Sequence, residues 1–282
     1  MEINNFVVVG MGELPFKCAL SLIQNKANVI YIESKKLNYN NFQYKCEING
    51  IKYLEMSEQA NDYLHNLQSN TMIISASNPY IFDQTTLLQK NVIAINYHNS
   101  LLPLHKGVNA EAWAIYKQDE LTGVTWHIIY PKIDIGPIIY QEELTILPDE
   151  TSLELLSRQA KIAYRIFNNN IEDIIDCKFS LKEQKGKSSY HSIKDIPNKG
   201  FFNIEWDIKK AYSFLRAMDY GHLRTLGFPK IMLNNTLYTW HNYTLINNNN
   251  ELRGKFITND GILLNYNKYQ IKLNKIKQLS NT

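Results

Sequence analysis

Short apolar runs alternate with helical stretches along the first hundred residues. Runs rich in β-branched residues predict buried strands at 6–9, 29–32, 72–75 and 91–98. Between them, apolar positions at helical spacing predict helices at 14–25 and from Ser57 to about Leu67. Because strands that alternate with helices form parallel sheets, we predict an α/β fold with a Rossmann-like, twisted and mostly parallel sheet.

The pattern continues to about Phe167. It predicts a helix at 109–117, strands at 123–130 and 138–144, and a long helix that starts at Thr151. Thr151 and Glu154 have the spacing of a capping box, in which each residue satisfies a free backbone N–H of the first helical turn.

A polar stretch with Gly186, Pro197 and Gly200 interrupts the pattern and predicts a linker at 182–203. Beyond it we predict a helix at 208–218 and short strands at 237–246, 252–257, 262–264 and 269–276. Such closely spaced strands are typical of a small β-barrel, here described as OB-like. The predicted organisation is a first domain at 1–181, the linker, and a C-terminal domain at 204–282.

Composition narrows the class of protein. The chain has 282 residues, of which 44% are hydrophobic and 20% charged, enough to bury a core. A net charge of +3 is far below that of a dedicated nucleic-acid binder. The three widely spaced cysteines form no metal or disulfide pattern, and no signal peptide or bilayer-spanning run is visible. We therefore expect a cytoplasmic protein without membrane association.

The strand at 91–98 ends in two polar residues that share one face. Asn96 and His98 are two positions apart, so both project from the same side of the strand at its carboxyl end, where open α/β sheets bind ligands. Asp134, in the loop before Gly136, is a third candidate. Taken alone, His98 is better explained by local capping of the strand end, and Asp134 is compatible with a turn aspartate.

The turn Gly10-Met11-Gly12 follows the first strand, as in a dinucleotide-binding fingerprint. Glu33 ends the second strand, where such proteins hold an acidic residue. The third glycine is absent, however, and Pro15 lies in that region. We therefore interpret the two glycines as a tight strand-to-helix turn, and keep a nicotinamide oxidoreductase as an alternative.

Three blocks of sequence together resemble the formyltransferases that use 10-formyltetrahydrofolate, a family that includes the methionyl-tRNA formyltransferases. The blocks read NYHNSLLP from Asn96, HKGVNAEAWAIY from His105, and TGVTWHIIYPKIDIG from Thr122. Their order and spacing are similar to the family pattern. The Gly-Val-Asn-Ala segment and the Val-Thr-Trp-His strand look most like formyltransferase domains of peptide-synthesising assembly lines, and sugar N-formyltransferases share the core motif.

The resemblance implies a formyltransferase catalytic domain and three catalytic residues, Asn96, His98 and Asp134. The chemistry of these side chains suits acyl transfer, because an imidazole moves protons near neutral pH and an amide donates to an oxyanion. No metal is needed. The resemblance also implies that 10-formyltetrahydrofolate contacts two loops, formed by Ser100, Leu101, Leu102 and Pro103 and by Ile133, Ile135 and Gly136. The loop at 78–82 is expected to border the pterin.

The acceptor is left open. The leading hypothesis is formylation of a primary amine on a small or carrier-bound substrate. Alternatives are a sugar-nucleotide N-formyltransferase, a 10-formyltetrahydrofolate hydrolase, and a folate-binding module without turnover. We do not expect nucleic acid as a partner, because the loop after Pro103 carries only His105 and Lys106 as basic groups, but tRNA is not excluded. A homodimer is also left open.

Overall fold

A computed structural model of the chain describes residues 2–36, 41–247, 254–258 and 261–279. Within these ranges the helices are α1 (Glu13–Gln24), α2 (Phe42–Ile48), α3 (Glu58–His65), α4 (Gln84–Leu87), α5 (Ala110–Lys117), α6 (Ser152–Asn169), α7 (Ile171–Ile175) and α8 (Ile208–Ala217). A short 3₁₀ helix covers Pro197–Gly200. None of the helices in the described ranges is both long and apolar enough to span a membrane.

The strands occur in two groups along the chain. The first group is β1 (Asn5–Gly10), β2 (Val29–Glu33), β3 (Lys52–Glu55), β4 (Thr71–Ala76), β5 (Val92–His98), β6 (Lys106–Gly107), β7 (Leu121–Ile128), β8 (Ile138–Thr145) and β9 (Tyr190–His191). The second group is β10 (Phe201–Phe202), β11 (Lys230–Leu233), β12 (Thr236–Thr239), β13 (Asn242–Asn247), β14 (Gly254–Thr258), β15 (Gly261–Tyr266), β16 (Tyr269–Asn274) and β17 (Lys277–Leu279).

The chain forms two compact units that interleave in sequence. One unit contains 1–107, 123–144 and 157–190, and the other contains 108–122, 145–156 and 191–282. The sequence instead predicts contiguous domains separated at 182–203, a stretch that in the structure includes β9 and β10. The predicted boundaries, as limits of functional domains, stay a prediction.

A seven-stranded sheet forms the centre of the first unit. Its strand order is β3-β2-β1-β4-β5-β7-β8. The first five of these strands pair in parallel, and β7 pairs antiparallel with β5. The prediction of a Rossmann-like, mostly parallel sheet is confirmed, and the antiparallel step at β7 is the feature that the apolar pattern did not reveal.

The strand sequences explain why this sheet is buried on both faces. In β1 the consecutive Val7, Val8 and Val9 are all inaccessible to solvent. A continuous β-branched run is typical of a strand that helices cover from both sides, because neither face can be polar. One resulting core contains Val7 and Val9 with Ile73 of β4 and Leu64 of α3. Burial of each such side chain contributes about 1.5–3 kcal/mol to folding.

Gly10 at the end of β1 is required by a close approach between strands. A Cβ atom at this position would lie 1.9 Å from the carbonyl oxygen of Ala76 on β4, and 2.9 Å from Pro15 Cγ. Neither neighbour can move without breaking the parallel pairing or the start of α1. The interpretation of this glycine as part of a tight strand-to-helix turn therefore has a steric basis that requires no nucleotide.

The second unit has its own core and two four-stranded sheets, ordered β10-β11-β12-β17 and β13-β16-β15-β14. Phe214 of α8 lies in this core with Trp240 and with Ile262 and Ile271 of the second sheet. The predicted C-terminal β-structure is therefore present. Its description as an OB-like barrel stays a prediction.

Several predicted elements differ in detail from the structure. The stretch 237–246 was predicted as one strand, but Trp240 and His241 separate β12 from β13, and these strands belong to different sheets. Trp240 is buried against Phe202, so packing of the indole interrupts the strand. Lys275, with a φ of 51°, similarly separates β16 from β17. The predicted strand at 252–257 begins outside the described residues.

The beginning of α6 agrees with the sequence pattern. The Thr151 N–H donates to Glu154 Oε2 at 2.9 Å, and the Glu154 N–H donates to Thr151 Oγ1 at 3.3 Å. These reciprocal bonds are the predicted capping box. Several short elements were missed, among them α2 with seven residues and β3 with four, because a periodic pattern is hard to recognise over so few positions.

We expect Gly10→Ala to destabilise the protein by about 1–3 kcal/mol, because the new methyl group overpacks the contact between β1 and β4. Gly50→Ala is the matched control. Gly50 has open space around its missing Cβ but a φ of +66°, so this variant measures conformational strain alone. Denaturant unfolding of both variants provides the comparison. A Gly10→Ala variant as stable as the parent would contradict the steric account.

Candidate active site

Two neighbouring strands of the first unit present polar side chains at the same place. Asn96 and His98 lie on β5. In the pairing of β5 with β7, His127 lies opposite Asn96 and Thr125 lies opposite His98. Residues directly opposite each other on paired strands face the same side of the sheet. The antiparallel step therefore adds a second histidine, His127, to the face that Asn96 and His98 define.

Asp134 reaches this face from the loop that follows β7. Its Oδ2 lies 3.5 Å from His98 Nδ1, and its Oδ1 lies 3.4 Å from His127 Nε2. The side chains are almost fully buried, with exposed fractions of 9% for Asp134, 5% for His98 and 2% for His127. The structure thus brings together the three residues predicted to be catalytic and places His127 among them.

The backbone around Asp134 is held in an uncommon conformation. Asp134 has a φ of 51°, in the left-handed region that non-glycine residues rarely occupy. Its Oδ2 accepts the Gly107 N–H at 2.8 Å, and its own carbonyl accepts Gln184 Nε2 at 2.9 Å. Gln184 Nε2 also reaches the Gly136 carbonyl at 2.8 Å. These bonds stabilise the loop in the conformation that directs the carboxylate at the two imidazoles.

The protonation states follow from burial and from the neighbouring charges. Burial alone raises the pKa of Asp134, but His98, His127 and the Gly107 N–H outweigh it and hold that pKa at about 2. Burial lowers the pKa of His98, and the Asp134 carboxylate offsets only part of this effect. At neutral pH the cluster therefore contains an ionised carboxylate beside a neutral His98.

The tautomer of His98 is determined by its partner. His98 Nε2 lies 2.8 Å from the carbonyl oxygen of His105. A carbonyl oxygen can only accept, so Nε2 carries the proton and the lone pair of the neutral ring is on Nδ1. Nδ1 is the atom that faces Asp134. Proton uptake at Nδ1 would create an imidazolium directly beside the carboxylate, which is the arrangement of an assisted general base.

The loop after β5 is fastened to β7 by hydrogen bonds. Thr125 Oγ1 donates to the Ser100 carbonyl at 2.6 Å and accepts the Leu102 N–H at 3.3 Å. Gln159 of α6 donates to the carbonyls of Asn99 and Gly123. Ser100, Leu102 and Pro103 are buried, whereas Leu101 is half-buried.

These positions divide the predicted folate-binding residues into two groups. In the second loop, Ile133 is exposed, Ile135 is half-buried and Gly136 is buried. A Cβ at Gly136 would lie 1.9 Å from the Ile128 carbonyl oxygen, so this glycine is needed for the loop to approach β7. Leu101, Ile133 and Ile135 are the members that retain accessible surface, and the others are buried.

His127 and Ser75 are the site residues that sequence reasoning missed. His127 was not among the predicted site residues, yet it contacts both Asn96 and Asp134. Its two-residue spacing from Thr125 was visible, but the antiparallel register that places it opposite Asn96 was not. Ser75 of β4 donates to Asn96 Oδ1 at 2.7 Å, and nothing in its own sequence context indicated this contact.

Comparison with known proteins defines the class. The family described as formyl transferase matches residues 18–171, which is more than half of the chain and includes Asn96, His98 and Asp134. The chain belongs to this family of enzymes, and the resemblance inferred from the three sequence blocks is confirmed.

Sequence identity to individual relatives is low. GDP-perosamine N-formyltransferase of Brucella melitensis is 30% identical over 131 residues, which cover 44% of this chain and 48% of that protein. The match thus spans about half of the relative's length. Phosphoribosylglycinamide formyltransferase of Haemophilus influenzae is 27% identical over 192 residues, covering 68% of this chain and 88% of that protein.

A solved structure is similar over nearly the whole chain. It is the N-formyltransferase from Helicobacter canadensis in complex with folinic acid and dTDP-3-aminofucose, with a TM-score of 0.76 and 20% identity. The similarity covers 98% of this chain and 100% of that one. At this level of identity the comparison establishes a shared fold.

We expect the His98 imidazole to titrate below the value of about 6.5 that is usual for histidine. In Asp134→Asn the pKa of His98 should fall further, because the charge that favours the imidazolium is removed. Two-dimensional ¹H–¹⁵N spectra of the imidazole measure both. Asp176→Asn, which alters an exposed carboxylate, should leave the titration unchanged. A rise of the His98 pKa in Asp134→Asn would contradict the electrostatic account.

Proposed function

We propose that this protein transfers a formyl group from 10-formyltetrahydrofolate to a primary amine, with Asn96, His98 and Asp134 as catalytic residues. The observation that carries the proposal is the buried cluster in a formyl transferase family member, where a neutral imidazole with its lone pair on Nδ1 faces an ionised carboxylate. This combination supplies a proton acceptor and a counter-charge at one point.

The proposed reaction needs one proton to move twice. The amine nitrogen attacks the formyl carbon, and the electron pair of the C=O double bond moves onto oxygen. His98 Nδ1 takes the proton that the amine loses. When the tetrahedral intermediate collapses, the bond from carbon to folate N10 breaks and N10 receives a proton. The products are a formamide and tetrahydrofolate, and His98 returns to its neutral form.

Asp134 supports this proton transfer without itself becoming protonated. Its pKa of about 2 keeps it ionised at neutral pH, so it stabilises the His98 imidazolium as the charge forms. In the buried cluster this attraction is stronger than it would be in water. Asp134 is thus the electrostatic partner in the proposal and His98 the proton carrier.

Asn96 is proposed to stabilise the negative oxygen of the intermediate. Its side-chain amide nitrogen carries two hydrogens, and the contact with His127 Nε2 at 3.2 Å uses one of them. The second hydrogen is proposed to bind the formyl oxygen as it becomes an oxyanion. A donor already fixed in place requires no reorganisation at that moment, which makes such groups effective.

The folate would lie against the apolar positions of the two loops. Leu101, Ile133 and Ile135 retain accessible surface, and aliphatic side chains of this kind suit a flat heterocycle and its linker. Ser100, Leu102, Pro103 and Gly136 are proposed to act by supporting the loops. No step in this scheme uses a metal or a covalent enzyme intermediate.

For the acceptor we propose an amine on a nucleotide-linked sugar. Sequence reasoning placed a small or carrier-bound amine first and kept the sugar nucleotide as an alternative. The relatives favour that alternative, because the Brucella protein is named for GDP-perosamine and the Helicobacter structure contains dTDP-3-aminofucose. The Haemophilus relative, named for phosphoribosylglycinamide, supports a phosphorylated amine as the second candidate.

Loss of either Asn96 or His98 should abolish most of the activity. We expect Asn96→Ala to reduce kcat by about 100-fold, corresponding to roughly 3 kcal/mol for one oxyanion donor. We expect His98→Ala to reduce kcat by about 100-fold or more, the usual contribution of a general base. The measurement is release of tetrahydrofolate in the presence of an acceptor amine.

Asn91→Ala is the matched control, since Asn91 precedes the opposite end of the same strand and bonds to the Leu67 and Ser69 carbonyls. It should retain kcat if the protein remains folded. Retention of full kcat in His98→Ala would exclude His98 as the proton carrier.

The acceptor can be identified by competition among amines. We expect tetrahydrofolate release to require a GDP- or dTDP-linked amino sugar, and to be slower with phosphoribosylglycinamide, methionyl-tRNA or a carrier-bound aminoacyl group. Mass spectrometry of the product should show the added formyl group. Release without any amine would indicate a hydrolase, and folate binding without release would indicate a binding module.

A further inference from the structure

A continuous series of hydrogen bonds passes through Asn96 and begins and ends on the backbone. It runs in one direction, from donor to acceptor, through Tyr80 N–H, Asn78, Ser75, Asn96, His127 and the Ile128 carbonyl. We call this series the amide relay. All its members belong to the first compact unit. The proposed roles of the three catalytic residues leave the contacts made by Ser75, Asn78 and His127 unexplained.

The N-terminal end of the amide relay determines which way Asn78 faces. The Tyr80 N–H can only donate, so the side-chain atom of Asn78 that lies 2.9 Å away is its oxygen. The Asn78 amide nitrogen then donates to Ser75 Oγ at 3.1 Å, and also approaches the Tyr80 carbonyl at 3.2 Å. Both partners of that nitrogen accept, as the assignment requires.

Ser75 transmits this direction to Asn96. The Ser75 hydroxyl has one hydrogen, and because its oxygen accepts from Asn78, that hydrogen is available for Asn96 at 2.7 Å. The Asn96 atom facing Ser75 is the carbonyl oxygen, which accepts this hydrogen. Ser75 is only 3% exposed, so water does not readily replace this bond.

The His127 end of the amide relay independently assigns the same orientation to the Asn96 amide. The Ile128 carbonyl lies 2.8 Å from His127 Nδ1 and can only accept, so Nδ1 carries the proton. In the neutral ring, His127 Nε2 then has a lone pair and accepts from the Asn96 amide nitrogen at 3.2 Å. Protonation of His127 would turn Nε2 into a donor towards Asp134 Oδ1, at 3.4 Å, and remove that acceptor.

We infer that Ser75 and Asn78 are positioning residues that hold the Asn96 amide with its nitrogen available to the reacting group, an inference that rests on the proposed function. The two ends of an amide have nearly the same shape, so packing alone does not select between its two orientations. The reversed amide would present an oxygen to the formyl oxygen and repel the oxyanion. The Tyr80 N–H can only donate and the Ile128 carbonyl can only accept. Between these two ends, the amide relay selects the orientation in which the Asn96 nitrogen is available to the formyl oxygen.

Ser75→Ala tests this inference, and Thr71→Val is its matched control. Both variants remove a buried hydroxyl from β4, but the Thr71 hydroxyl bonds to the Ser69 carbonyl, outside the amide relay. We expect Ser75→Ala to lower kcat at least tenfold with KM for 10-formyltetrahydrofolate within about threefold of the parent, because only the oxyanion donor is affected. Ser75→Thr should restore kcat to within about threefold, and Thr71→Val should retain it.

The double variant separates orientation from a general structural effect. Once Asn96→Ala has removed the amide, Ser75→Ala should cause no further loss of kcat, since residues that act through one another are not additive. A kcat within twofold of the parent in Ser75→Ala, or an equal loss in Thr71→Val, would overturn the inference. So would an additive loss in the double variant.

A spectroscopic measurement keeps the inference distinct from the proposed function. The side-chain NH₂ signals of Asn96, assigned by their loss in Asn96→Ala, should shift in Ser75→Ala and stay in place in Thr71→Val. The ¹⁵N shifts of His127 at neutral pH should report a proton on Nδ1 and a lone pair on Nε2. These outcomes need no turnover, so a parent without formyl transfer would overturn the proposed function while the amide relay is still tested. Unchanged Asn96 signals, or a proton on His127 Nε2, would overturn the relay.

Discussion

The burial of an ionised carboxylate is the constraint on which the candidate site depends. Asp134 has a side chain that is 9% exposed and a pKa held at about 2, so the protein must compensate a negative charge away from water. An unpaired buried charge is strongly unfavourable. The Gly107 N–H donates to the carboxylate, and His98 and His127 lie within 3.5 Å of it, ready to hold a positive charge when protonated; the three groups belong to separate segments of the chain. The positive φ of Asp134 and its contact with Gln184 follow from the need to direct the carboxylate at these partners.

The central sheet holds the residues of this cluster in place, and the antiparallel pairing of β7 with β5 is essential to their arrangement. Five parallel strands place the carboxyl end of β5 beside that of β4, and so bring Asn96 next to Ser75. The antiparallel β7 then places His127 directly opposite Asn96. Side chains from three adjacent strands therefore converge on one amide. Residues on strands are held more precisely than residues on loops, which suits a group that must donate to an oxyanion.

Family membership and the proposed acceptor are supported by different observations. Membership of the formyl transferase family comes from a match over residues 18–171, the part that contains the cluster. The relatives named here act, by their names, on different amines, whereas formyl transfer is common to their names. A conserved chemistry with a variable acceptor is expected when the reacting group and the recognition of the rest of the substrate involve different residues.

The class of fold and the likeness to a family follow from local features of the sequence. Apolar runs at β1, β2, β4 and β5 predicted a parallel sheet, because a strand buried on both faces must be apolar throughout. The spacing of Asn96 and His98 placed both on one face, since side chains alternate along a strand. Thr151 and Glu154 specified the start of α6 through bonds between near neighbours. These features are local, so periodicity and short motifs are sufficient to predict them.

Features that combine residues far apart in the chain arise only when the chain folds. The partnership of Asp134 with two histidines, the contact between Ser75 and Asn96, and the break at Trp240 all arise from strand register and core packing. Pairing of β5 with β7 could not be deduced from either strand, because an apolar pattern does not specify strand direction. The direction of the hydrogen bonds through Asn96 likewise depends on backbone groups at Tyr80 and Ile128, which only folding brings to the same site.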